Sequence, residues 1–387
     1  MKRWVLSLAL VSLAALTARA AGPDLAAVAA SLDRGATFLL STQGTDGAWM
    51  RHPAITALAC MSVQKAPLGN SERGRAAVAK GLAFIVQFAQ PDGSIWSTAE
   101  GDYPNYSTAI CLLALHQAAR PQDQPLMRAA RDYLIGSQFK DVPGTDPAYG
   151  GIGYGKSKRP DLSNTQWALE AIYVTESMDR DTAAADPAKA KAANLCWERA
   201  IRFLSRCQNL KDSNDQTWVS TDADERGGFV YRAGESKAGK IGKDGQPVAD
   251  GTVTEEGETL RSYGSMTYAG LKSMLYAKLT ADDPRVKAAQ DWLSRHYTFD
   301  ENPGLGAAGH YYYLHTAAKA LAATGQPTII AGGKTHDWRA DLATNLLARQ
   351  RPDGSWKNDN GRWMESLPEL STTYAILALA TIRDRKP

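Results

Sequence analysis

Three stretches of this chain hold residues that could do chemistry. The first is Gly309-His310-Tyr311-Tyr312-Tyr313-Leu314-His315-Thr316-Ala317-Ala318-Lys319. On a helix Tyr311 and His315 are i, i+4 neighbours, so a phenol and an imidazole could meet a ligand from one face. The second, Pro160-Asp161-Leu162-Ser163-Asn164-Thr165, sets a carboxyl just ahead of an apolar run. A carboxyl there could exchange a proton or cap a helix. The third, Asp222-Ala223-Asp224-Glu225, gathers acids ahead of Gly227-Gly228. The catalytic candidates are therefore Asp161, Asp224 and His315. Glu170 and Glu225 extend them to the paired carboxyls that sugar hydrolysis needs. His310 and His315 have no Cys near them in sequence, and zinc needs three or four converging ligands, so neither a metal site nor a cofactor is expected.

Such residues need a scaffold, and the chain builds one by repetition. Arg34-Gly35-Ala36-Thr37-Phe38-Leu39-Leu40-Ser41-Thr42-Gln43 runs through a Gly turn to Trp49, and the phrase recurs six times. Further copies carry Gln90 to Trp96, Gln138 with Tyr149-Gly150-Gly151, Gln208, and Gln350 to Trp356; in the fifth, Tyr297 stands for Gln. Repeats of this period mark stacked units that cannot bury their apolar faces alone. Each copy holds an amphipathic helix followed by a more apolar one. The second helices are predicted at Ala54–Val63, Tyr106–Ala119, Ser163–Thr175, Ser265–Leu279, His310–Thr324 and Ser371–Ile382. The pattern predicts an all-α fold: an α/α toroid of six hairpins and about twelve helices, amphipathic outside and apolar inside. Ser107, Ser163, Ser265 and Ser371 are expected to cap inner helices. The inner starts would present Asn164, Trp167, Met266, Tyr268, His310, Tyr311, His315 and Tyr374 to one cavity. Three consecutive tyrosines cannot all face inward, so at least one of Tyr311 to Tyr313 packs outward.

Residues 1–20 read as a signal peptide, with Lys2-Arg3, the apolar run Trp4–Leu16, and Ala18-Arg19-Ala20 before the cut. This implies an exported protein, periplasmic or secreted, whose single domain spans 21–387. No later stretch is long enough to cross a membrane. There are 44 basic and 41 acidic residues, and losing Lys2, Arg3 and Arg19 brings the counts level. Without a basic patch, nucleic acid is not an expected partner. Cys196 and Cys207 lie roughly 16 Å apart on one predicted helix, too far to bridge, whereas Cys60 and Cys111 could approach. The stretch 212–262, rich in Gly and charge, is an insert expected to form a flap over one mouth or to bind a protein partner.

Residues 34–49 resemble the Gln-Trp repeat of squalene-hopene cyclases, oxidosqualene cyclases and, more loosely, protein prenyltransferase β-subunits. The resemblance covers nearly the whole of 21–387. It implies a barrel around an apolar, aromatic cavity suited to a prenyl chain. The cyclases' Asp-x-Asp-Asp-Thr stretch matches Asp161-Leu162-Ser163-Asn164-Thr165, so Ser163 and Asn164 stand where the acid and its neighbour belong. Ser cannot protonate an alkene. The expectation is thus a cyclase-like protein that binds an isoprenoid or other apolar ligand without hopene-type chemistry. A carbohydrate-active hydrolase or lyase, and an interaction scaffold, are the alternatives.

Overall fold

A computed structural model describes residues 22–98, 101, 103–155, 159–179 and 186–385; the expected signal peptide lies outside them. Twelve helices of at least 12 residues carry these parts of the chain. They are α1 Leu25–Thr42, α2 Pro53–Lys65, α3 Glu72–Val86, α4 Pro104–Ala118, α5 Gln124–Gly136, α6 Leu162–Val174, α7 Pro187–Arg206, α8 Gly264–Tyr276, α9 Pro284–Arg295, α10 His310–Ala323, α11 Trp338–Arg349 and α12 Pro368–Asp384. The even-numbered helices pack in order, α2 on α4, α6, α8, α10 and α12, and α12 returns to α2. They form a closed inner ring. Apolar residues buried all round, such as Ile110, Cys111, Leu112 and Ala114 on α4, are what a doubly covered helix requires. The odd-numbered helices lie outside, and α1 packs on α12 to close the circle.

A Gln, a turn Gly and an inner-helix Thr, recurring in most repeats, fasten one hairpin to the next. Gln43, Gln138, Gln208 and Gln350 each donate through Nε2 at 2.9–3.0 Å to the carbonyl of their own turn glycine and to a carbonyl on another outer helix. Those second acceptors are Ala77 on α3, Cys196 on α7, Arg285 on α9 and, closing the ring, Ser31 on α1. In the fifth repeat the Tyr297 hydroxyl takes over and donates to Asp341 on α11 at 2.9 Å. The turn glycines Gly47, Gly93, Gly150, Gly227 and Gly354 have φ of +86° to +95°, and a Cβ on each would fall 1.9–2.7 Å from the backbone oxygen of the adjoining outer helix. Only glycine fits there. The residue two past each glycine is buried, and its N–H donates to an inner-helix Thr: Thr56, Thr108, Thr165, Thr267 and Thr372, at 2.8–3.0 Å.

Two expectations need correction. In the second repeat Ile95, not Trp96, fills the buried position, because its N–H meets Thr108; Gln90 instead bonds Phe88 and Trp96 carbonyls in its own turn. None of the four serines is an N-cap. The helices begin earlier, with Pro at the first turn of α2, α4 and α12. Asp161 caps α6, and Glu365 accepts the N–H groups of Tyr311 and Tyr312 at the start of α10. The insert is packed onto the ring. Its strands β1 Lys240–Ile241, β2 Pro247–Val248 and β3 Thr259–Leu260 form a small sheet in the order β2-β1-β3. Trp218, Val219, Val230, Ala233 and Leu260 give it a core of its own. All four cysteines are buried, and none is in a disulfide.

Gly150→Ala is expected to lower the thermal midpoint by several degrees, because the methyl would clash with Arg199. Gly136→Ala, where nothing lies within 4 Å, should be neutral or raise it, since removing a glycine narrows the unfolded ensemble. Equal effects in a calorimetric scan would show that the turn is not the joint described.

Candidate functional site

Side chains from five inner helices meet inside the ring in layers. At the amino-terminal mouth, Ser163 Oγ lies 3.1 Å from the Tyr312 hydroxyl, to which Gln166 donates at 3.1 Å. The hydroxyls of Tyr106 and Tyr374 stand 3.5 Å apart, and the Tyr312 ring meets Tyr374 edge-on at 5.9 Å. These contacts join α6 to α10 and α4 to α12, helices that are not neighbours around the ring. The lumen is therefore bridged here, with Tyr106, Ser163 and Tyr312 half-buried. One layer down, His315 stacks between Trp167 and Tyr374, with ring centroids 5.5 and 5.6 Å away. Burial, then the Lys319 charge, pushes the imidazole down to about 3. It is neutral near pH 7 and cannot serve as an acid. Below it Glu170 takes Lys272 at 2.5 Å and Lys319 at 2.9 Å. Burial alone would raise Glu170, but the two ammoniums hold it well below the usual carboxylate range.

Asp161 sits at the rim of the mouth. It is buried, accepts the Asn164 backbone N–H at 2.9 Å and the Asn164 side-chain amide at 2.7 Å, and faces the Tyr231 hydroxyl. Burial pushes its carboxyl up to about 6, against the lowering pull of those hydrogen bonds. Tyr154 and Tyr231 each lie two residues past the buried turn residue, Ile152 and Phe229, in adjacent repeats. The repeat register thus brings two phenols to one carboxyl, and Leu162 N–H donates to the Tyr231 carbonyl at 2.8 Å.

The structure gathers Asp161, Asn164, Trp167, His315 and Tyr374 into this sector and turns other candidates away from it. Tyr268 packs on Tyr313, with ring centroids 5.7 Å apart, and Tyr313 donates to Thr298 in the turn after α9. His310 Nε2 bonds the Phe299 carbonyl at 2.8 Å, and burial lowers it to about 4. The Tyr311 ring lies 5.8 Å from that of His310, and its hydroxyl meets the Lys357 backbone. Asp224 is 74% exposed and pairs with His296 at 3.2 Å, and Glu225 accepts the Ser262 N–H at 2.6 Å, a bond within the insert. Sequence reasoning missed Tyr106, Tyr154, Tyr231, Tyr312 and Lys272. The signal for part of this was present. Ser163, Gln166, Trp167 and Glu170, and likewise Tyr312, His315 and Lys319, share one helix face by their spacing. Among the described residues no cluster of His, Cys, Asp or Glu could hold a metal ion, and no helix is long and apolar enough to cross a membrane. A half-open pocket of about 340 Å³, lined by His116, Gln124, Met127 and Arg128, lies at the carboxyl end of α4, away from the phenols.

No family model matches the chain. The squalene–hopene cyclase of Bradyrhizobium diazoefficiens is 26% identical over 234 residues, covering 54% of this chain and 33% of that enzyme. The match thus spans about a third of that relative's length. Among solved structures, type II terpene cyclase MstE from Scytonema in complex with geranylgeranyl dihydroxybenzoate is similar at a TM-score of 0.51 and 14% identity, over 93% of this chain and 99% of that one. A second MstE structure, with merosterolic acid A, also gives 0.51 at 14% identity, over 93% and 98%. The chain shares the α/α-toroid fold of these terpene cyclases. The all-α toroid read from the squalene-cyclase-like repeats is the fold observed.

Because the Asp161 carboxyl is raised from 3.8 to about 6, the folded protein holds a proton in that window that the unfolded chain has lost. Stability contributed here falls as pH rises from about 4 through about 6, and nothing is lost below. Asp161→Asn keeps a good cap and should remove this slope, so the midpoint difference between variant and wild type should grow across the window and then level off. A constant difference from pH 3 to 8 would show that Asp161 is not so perturbed.

Proposed function

We propose that the phenol-lined mouth binds an apolar, isoprenoid-like ligand, with Asp161 as the proton-exchanging group beside it. The observation that carries this reading is the convergence of Tyr106, Tyr154, Tyr231, Tyr312 and Tyr374 at one end of the ring, above the Trp167–His315 stack. Aromatic faces bind apolar chains, and hydroxyls fix one polar end of them. The fold relative MstE is seen with a geranylgeranyl-bearing substrate, which supports the ligand class. Ser163 and Trp167 are four residues apart on α6, about 6 Å along the axis, so this space suits one end of a chain rather than a folded triterpene.

Hopene-type cyclisation is not part of the proposal. Ser163 and Asn164 occupy the acid's places, and a carboxyl near 6 exchanges protons with polar groups rather than protonating an alkene. The geometry also disfavours sugar hydrolysis. Asp161 and Glu170 lie nine residues apart on one helix, about 13 Å along its axis, and Glu225 is committed to Ser262. Export follows as a proposal from Lys2-Arg3, the apolar run and Ala18-Arg19-Ala20. A protein partner for the insert would meet strand β2, where Val248 is exposed on the sheet edge.

Protein purified from its exporting host and extracted with organic solvent should release a stoichiometric apolar molecule by mass spectrometry. Tyr106→Ala and Tyr312→Ala should each weaken rebinding of geranylgeraniol, read by tryptophan fluorescence, by about tenfold or more. An empty wild-type protein that also ignores geranylgeraniol would overturn the reading. Amino-terminal sequencing of the same material is expected to begin at Ala21; a retained Met1 would overturn cleavage.

A further inference from the structure

The deepest layer of the ring carries a charge that its own side chains do not balance. Glu170, Lys272 and Lys319 each lie four residues before the end of their helices, Val174, Tyr276 and Ala323, so they form one level. Glu170 and Lys272 are 1% exposed; the Lys319 side chain is 20% exposed. Two ammoniums thus share one carboxylate. The charged groups that act on this glutamate and on Lys272 are one another and His315, which is held neutral. Each ammonium carries three donors, and the contacts seen use one apiece on Glu170. Beside them Trp167 Nε1 and both ring nitrogens of the fully buried His315 have no hydrogen-bond partner among the described residues. Trp167 lies close by, its ring 5.5 Å from Lys272 Nζ. The carbonyl ends of the three helices ease the positive charge, but that effect fades within the last turn. A buried ammonium without a full set of partners is costly.

We propose that this layer is an oxyanion site, taking one carboxylate or phosphate group between Lys272 and Lys319 and reached past Lys319 from the carboxyl-terminal face of the ring. It lies about 10 Å along α6 from Ser163 at the mouth, and it does not depend on what the mouth binds. Two ammoniums facing one oxyanion give charge-assisted hydrogen bonds, the strong kind. Glu170 competes for the same donors, which sets opposite expectations for two variants. Lys319→Met leaves a balanced Glu170–Lys272 pair and should keep its fold while weakening the anion about tenfold or more. Glu170→Gln frees both lysines and should tighten it.

The test is thermal unfolding in sodium phosphate against sodium chloride at matched ionic strength. Wild type should gain a saturable rise of a few degrees in phosphate, Lys319→Met should lose it, and Glu170→Gln should reach it at lower concentration. A parallel arm compares oleate with oleyl alcohol. If the natural anion is the head of a larger ligand, oleate protects more than the alcohol and Lys319→Met abolishes the difference. If it is a free ion, phosphate acts and the two lipids behave alike. Phosphate and oleate with no advantage over chloride and the alcohol, or an advantage that survives in Lys319→Met, would overturn the proposal. Because the mouth is read by geranylgeraniol, its success or failure is scored separately.

Discussion

The structure depends on a side-chain amide that makes two hydrogen bonds at once. A hairpin of one amphipathic and one apolar helix has no stable form alone, so each unit must be locked to the next before the inner helix is covered. Gln43, Gln138, Gln208 and Gln350 do this by donating to their own turn and to another outer helix. The bond from Gln350 to Ser31 joins residues 319 positions apart and turns an open stack into a ring. Each such bond contributes about 1 kcal/mol net, but leaving the buried carbonyls unpaired would cost more. The turn glycine beside each Gln lets backbones touch, and the Thr on the inner helix holds the turn from the other side.

Closing the ring sets what its centre can be. Six apolar helices packed side by side enclose a column whose lining comes from one face of each. Here that column is stratified: phenols at the mouth, a Trp–His–Tyr stack beneath, and a glutamate with two lysines below. The stratification follows from helices running in one direction and in register, so residues equally far from their ends meet at one level. Contacts between α6 and α10, across α8, show the column to be narrow in that sector. The likeness to terpene cyclases is in the fold.

Asp161 illustrates how one residue answers to both levels. Its position before α6 makes it the helix cap, a local role set by sequence. Its burial raises its carboxyl to about 6, against the lowering pull of the Tyr231 hydroxyl that the insert contributes. The insert, unreadable as structure from its Gly-rich composition, is what completes that surrounding. Tyr312 shows the complementary case. It stands in the middle of a tyrosine run where sequence showed that not all three could face inward, and its neighbours Tyr311 and Tyr313 are the ones turned outward.

Local chemistry alone determined the repeats and the alternation of helix types, because periodic apolar faces act over short spans. The inner helix bounds were legible to within a few residues for the same reason, although Pro and carboxyl caps started them where serines were expected. Closing the toroid took distant partners: Gln350 and Gly354 meet Ser31 and Arg34 at the other end of the chain. The rotation of each helix about its axis was decided only by packing, because many faces of an inner helix are apolar enough to point inward. Hence Trp167, His315 and Tyr374 met while Tyr268, His310 and Tyr311 turned away. The meeting of Glu170 with Lys272 and Lys319, each 102 or more residues distant, belongs wholly to the tertiary structure. No pattern on one helix specifies a charge balance among three.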